Sequence, residues 1–305
     1  MKGSVPTLVA LVLTASFQFA AAATKPGVDT ATIESVTGLK GTFTAAENVF
    51  KVSKPRDDIK VTVDGMPMSP FMGLTSYAAF TPMGRTTMVM GDTVLLEDEV
   101  NPVMSAALDA GLEVTALHNH FFFDQPKVYF MHIGGSGDAR KLAAGVKAMY
   151  DRVAQIRSAQ PAPATSFGAQ VPTPSHVSAD PLAQVFGAKP ESKDGMVKFT
   201  LGRSTHMHGV TLGNQMGVNT WAAFAGTDDN AVVDGDFAMR ESELQSVLKS
   251  MRGSGINIVS IHQHMTNENP RVMFLHYWGK GKATDLAQAV HQAVLTQDPL
   301  RGSPH

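Results

Sequence analysis

The chain has 305 residues, 43% of them hydrophobic and 17% charged, with a formal net charge of −2. The near-neutral balance leaves no basic footprint for nucleic acid. The absence of cysteine excludes disulfides, thiolate catalysis, Cys-ligated metals and a lipid-modified cysteine. What remains is an ordinary globular composition with room for two domains.

The N-terminus combines Lys2, the apolar run Leu8–Ala20 and the small residues Ala21-Ala22-Ala23. That is the pattern of a secretory signal with an A-x-A site, too short to span a bilayer. Residues 1–23 are therefore expected to be a signal peptide, and the mature protein to be periplasmic or secreted. No other apolar run reaches the ~20 residues of a spanning helix, so no membrane insertion is expected after cleavage.

Asp29–Gly38 reads as a short helix, with Ile33 and Val36 on one side and Gly38 as its stop. Residues 41–63 suggest short strands and 66–74 a turn-rich apolar loop. Residues 76–80 and 86–96 read as strands. Glu97–Ala110 reads as a helix with acids in its first turn and Gly111 at its stop. Pro102 fits that helix only if it begins near Asn101.

The next stretch, Leu117–His132, recurs at Ile261–His276, displaced by 144 positions without a gap. Six of the 16 aligned positions are identical: His118/His262, His120/His264, Pro126/Pro270, Val128/Val272, Phe130/Phe274 and His132/His276. Both copies read as β-hairpins. Alternation places His118 and His120 on one face, and Asp124-Gln125-Pro126 is turn chemistry. A loop centred on Gln125 sets His118 opposite His132 and His120 opposite Phe130, so that three imidazoles share one face.

Gly134–Gly137 then leads into a helix from about Asp138 to Val153. Residues 159–180, rich in Pro, Ala and Ser, form a linker. The second half repeats the plan: Tyr77–Phe80 matches Trp221–Phe224, Gly91-Asp92 matches Gly235-Asp236, and Glu97 and Glu99 match Glu241 and Glu243. The expected fold is α+β, a tandem duplication of a split-βαβ-like antiparallel sheet domain with helices on one face. The first repeat covers residues 24–158 and the second 181–305, as a pseudo-two-fold pair.

Two repeated His-x-His motifs, each with a third histidine twelve residues on, have the donor type and spacing of a Zn²⁺ or copper site. The candidate ligands are His118, His120, His132, His262, His264 and His276. Asp92 and Asp236, each following a glycine, read as turn residues. Glu99 and Glu243 open helices and are the candidate general bases. Arg56 and Arg203, aligned by a three-residue slip in register, are candidate clamps for an anionic ligand. His206 and His208 could form a further site or lie on an exposed strand, and the 17 methionines suit either a core or Cu(I).

Asp92, the segment Glu97–Met104, the segment Glu113–His120, and Pro126 with Met131-His132 together resemble the LppY/LpqO family of exported bacterial proteins, in both copies. The resemblance implies export and a duplicated domain, and carries over no catalytic residue. Some members of that family are lipoproteins; a chain without cysteine is not expected to be one. The sequence thus points to an exported protein that binds a transition metal, Zn or Cu, through its two His triplets, with metal-dependent hydrolysis as the matching activity. A protein binding a small anionic ligand without metal, or a structural module with core histidines, remains open beside it. Its partner is then a metal ion or a small-molecule ligand.

Overall fold

The computed structural model describes residues 27–298; the expected signal peptide at 1–23 lies outside them. The first repeat runs α1 (Thr30–Thr37), β1 (Gly41–Thr44), β2 (Val49–Pro55), β3 (Thr75–Met83), β4 (Thr86–Leu96), α2 (Glu97–Asp109), β5 (Glu113–His118), β6 (Val128–Gly137) and α3 (Ala139–Ala159). The second runs α4 (Ala179–Phe186), β7 (Glu191–Lys193), β8 (Met196–Gly202), β9 (Asn219–Gly226), β10 (Ala231–Arg240), α5 (Leu244–Gly253), β11 (Asn257–His262), β12 (Val272–Gly281) and α6 (Ala283–Leu295). The chain is a tandem duplication of one α+β unit, and the two units share a single sheet.

That sheet has twelve strands in the order β1-β2-β3-β4-β6-β5-β11-β12-β10-β9-β8-β7. The order is a palindrome in repeat-equivalent strands, so a pseudo-two-fold axis passes between β5 and β11. All neighbours are antiparallel. The repeats meet through the Leu117–Ile261 pair. Reciprocal side-chain amides extend the junction. Asn101 donates to the Ile258 carbonyl at 3.1 Å and accepts from its N–H at 2.7 Å. Its counterpart Gln245 donates to the Val114 carbonyl at 2.8 Å and accepts from its N–H at 3.0 Å. Each amide satisfies backbone groups beside a register shift in the strand, between Val114 and Ala116 or between Ile258 and Ser260.

Strand alternation separates two faces. Val89, Leu95, Leu117, Met131 and Ile133 join the helices in one core that runs through both repeats. On the opposite face Val94, Leu96, Val128 and Phe130 pack under a lobe containing Val61, Leu74 and Phe121. Ala238, Val272 and Phe274 pack likewise under Leu212 and Val218. Between these lobes lies the central part of the open face.

Three local expectations change. Helix α2 does begin at Glu97, and it holds Pro102 inside it without the start near Asn101 that the proline was expected to require. The Glu99 carboxylate accepts the Leu96 N–H at 2.9 Å and holds that early start. The linker ends in a helix, α4, the counterpart of α1. Gly91 and Gly235 lie within strands, not turns. A Cβ on Gly91 would press on the Tyr77 carbonyl, and one on Gly235 would collide with the Tyr277 hydroxyl and the Trp221 carbonyl.

Candidate metal centre

The hairpin register differs from the expected one by two residues. His118 pairs with Phe130 and Ala116 with His132. In the second copy His262 pairs with Phe274 and Ser260 with His276. The loop after β5 is longer than a tight turn because Asp124–Gln125 leaves the main ladder and pairs with Thr62–Val63. Buried Asp124 closes that loop by accepting the Val128 N–H at 2.7 Å, as Glu268 does for Val272 at 3.1 Å. A slip of one residue would have moved His132 to the helix side; a slip of two preserves the face. The three histidines of each repeat therefore gather on the open face through diagonal rather than direct pairing.

In both repeats the histidine on the inner strand is the hub. His118 lies 5.1 Å from His120 and 5.1 Å from His132, ring centre to ring centre. His262 lies 5.1 Å from His264 and 4.8 Å from His276. His120 and His264 lie flat on Phe130 and Phe274, with centroids 3.3 and 3.5 Å apart. Because β5 and β11 are neighbours, the two triplets flank the pseudo-two-fold axis on one surface.

The nitrogens converge differently. In the first repeat His132 Nε2 and His118 Nε2 are 3.1 Å apart. In the second, His262 Nε2 and His264 Nε2 are 3.2 Å apart, and His264 Nε2 is 3.1 Å from Asp236 Oδ2. Ligand atoms of Asp236, His262 and His264 all lie within 4.8 Å of one another, a group that could hold a metal ion. Tetrahedral donors ~2.0–2.1 Å from zinc sit roughly 3.3 Å from each other, close to the two short separations. His276 turns its Nδ1 to the Gly235 carbonyl at 3.2 Å, the kind of backbone contact that orients an imidazole and leaves Nε2 free.

Asp236 is 4% exposed and its Oδ1 has no hydrogen-bond partner; His262 Nδ1 is likewise buried and unpaired. Burial raises the Asp236 carboxyl above its ordinary range, against the pull of His276 and His264. Burial, reinforced by His276 and His264, pushes His262 down to about 4. The imidazole is therefore neutral at pH 7, as a ligand must be. His120 is lowered too, by burial and then His118, with Asp92 opposing. Asp92, across the ladder from His132, also has a buried Oδ1 without a partner.

The sequence did not single out Asp236 as a ligand. Reading Gly235-Asp236 as a turn hid it; the signal available was its period-2 spacing from Asp234 just before a continuous apolar run.

Glu99 and Glu243 are not brought to the histidines. Glu99, wholly buried, takes Arg56 at 2.8 and 2.9 Å and Arg157 at 2.9 Å. Glu243 takes Arg203 at 3.1 Å and the backbone N–H groups of Arg240 and Asp298. The expected bases and the expected anion clamps are thus each other's partners, and they tie the start of α2 or α5 to the sheet. Burial works to lower Arg56, but Glu99 and Asp58 outweigh it and raise it overall. His206 bonds Thr211 at 3.1 Å, and His208 sits at positive φ in a turn, so that pair does not share a strand face.

The family described as Domain of Unknown Function (DUF1259) matches this chain twice, over residues 31–152 and 180–296, and the chain belongs to that family. The two matched segments coincide with the two structural repeats. No curated protein matches the chain. Among solved structures, a trimeric bacterial microcompartment shell protein, PduB, aligns over 84% of this chain and 89% of that one, at 12% identity and a TM-score of 0.22. A likeness that weak carries no argument about function.

Proposed function

We propose that this is an exported transition-metal-binding protein whose primary site is Asp236, His262 and His264, with His276 beside it. The carrying observation is the trio of donor atoms within 4.8 Å, one of them a buried carboxylate with an unpaired oxygen. Two imidazoles and one carboxylate suit Zn²⁺ or Cu²⁺; the same set also serves Fe²⁺. Hydrolysis is the matching activity, since a bound Zn²⁺ brings the pKa of a water it holds toward ~7. On this reading His264, exposed at the rim, marks the side from which a substrate would approach. The first triplet, with Asp92, is a second and weaker site. Export rests on the N-terminal segment and the LppY/LpqO resemblance. No helix among the described residues is long and apolar enough to cross a membrane.

Titration of chelator-treated, tag-free protein with Zn²⁺, Cu²⁺ and Fe²⁺, followed by calorimetry, tests the reading. Asp236→Ala is expected to weaken the tightest event by at least ~10–100-fold, the scale on which even outer-sphere partners act. An unchanged titration would refute this site.

A further inference from the structure

A cavity of about 440 Å³ lies where the two repeats meet, away from the histidines. Its walls come from α2 (Val100, Pro102), β6 (Tyr129) and β11 (Val259), and the linker adds Phe167. The size falls within the ~300–1,000 Å³ of small-molecule pockets, and these groups are apolar or aromatic.

One cation faces this space. Arg252 on α5 donates through Nε to Ser105 at 3.1 Å, and through Nη1 to the Ile256 carbonyl at 2.7 Å and Asn257 at 3.0 Å. Those three bonds fix the guanidinium. Among the described residues no carboxylate pairs with it, and Nη2 makes no hydrogen bond. Burial alone lowers it, to about 10, with no anion opposing. Among the described residues the fully buried arginines each have an acid, Arg56 and Arg157 sharing Glu99 and Arg203 having Glu243, whereas half-buried Arg252 has none. The nearest wall acids do not serve. Asp98 is held by Arg157 and the Ala164 N–H, and Glu97 is solvent-exposed.

The duplication makes the feature one-sided. Arg252 aligns with Leu108. A cation that the fold does not require in one repeat is held rigid in the other, beside an apolar pocket.

We propose that this cavity binds a small carboxylate with an apolar body, its carboxylate on Arg252 Nη2 and its body against Val100, Pro102, Val259 and Phe167. The site is independent of the histidine cluster.

Calorimetry of the full mature chain with phenylacetate and hexanoate tests this, with phenylacetamide and inorganic phosphate as controls. The carboxylates are expected to bind, and phenylacetamide and phosphate each to bind at least ~10-fold more weakly, since a hydrogen bond to a charged group is at stake. Arg252→Leu should weaken phenylacetate by a similar factor. Val259→Phe, which keeps Arg252 and fills the cavity, should do so even if Arg252→Leu folds poorly. Chelator treatment should change nothing. No carboxylate binding, undiminished binding in Val259→Phe, or phosphate binding as tightly as phenylacetate would overturn the proposal.

Discussion

The two histidine triplets are built on the same frame and close differently. Ring-centre separations around His118 and His262 agree to within 0.3 Å, as 5.1 and 5.1 Å against 5.1 and 4.8 Å. Yet the close nitrogen pair is His118–His132 in the first repeat and His262–His264 in the second. The backbone sets where the rings sit; the neighbours set which nitrogens meet. His276 is held by the Gly235 carbonyl and Asp236 draws His264 inward. In the first repeat Asp92 makes no such contact. Met90 stands where the second repeat has Asp234, and Phe122-Phe123 stand where it has Thr266-Asn267. Duplication preserved the histidines, and among the described residues the side chains around them bring a group that could hold a metal ion together in the second copy.

The largest expected effect lies in the buried ion pairs at the starts of α2 and α5. Glu99 balances two arginines and Glu243 one. Glu99→Gln should cost about 3–5 kcal/mol, the usual penalty for stranding buried charge. Glu243→Gln should cost less. Denaturant unfolding of the two variants checks the order; equal costs would mean the second arginine adds nothing.

Next in size are the amide clamps across the pseudo-two-fold axis. Asn101→Ala and Gln245→Ala each strip two backbone groups of their partner, at about 1–3 kcal/mol apiece. Similar losses support a symmetric junction. A loss at only one would show that the palindromic strand order hides unequal halves.

The smallest effect is a pH dependence in metal-free protein. His262, depressed to about 4 from an ordinary 6.5, takes up its proton in the unfolded chain first. Unfolding then binds more protons between those values, so stability falls as pH drops from about 6.5 toward 4. Asp236, raised by burial, contributes with the opposite sign: its share is lost as pH rises through its folded value. The comparison is therefore wild type against His262→Gln, whose stability should fall less steeply over that window. An identical slope would remove His262 as the cause.

Much of this was legible in the chain. The 144-residue repeat gave the duplication, the His-x-His alternation gave the shared face, and Asp29 and Gly38 bounded α1, with the Asp29 carboxylate capping Thr32. Other features were not. The fusion of both repeats into one sheet depends on the Leu117–Ile261 pair, which no local pattern announces. The hairpin register depended on Asp124–Gln125 pairing with Thr62–Val63, a contact across some sixty residues. Glu99 and Arg56 were visible as charged residues, but their mutual burial is a tertiary fact that turns an apparent base and an apparent clamp into a brace. Asp236 was masked by a glycine that serves close packing rather than a turn.

The central claim is that the second repeat holds the metal. Metal content of tag-free protein purified from cells, measured on wild type, His118→Ala and His262→Ala, tests it most directly. Bound metal retained in His118→Ala and lost in His262→Ala is the predicted result; equal metal in all three proteins would contradict it.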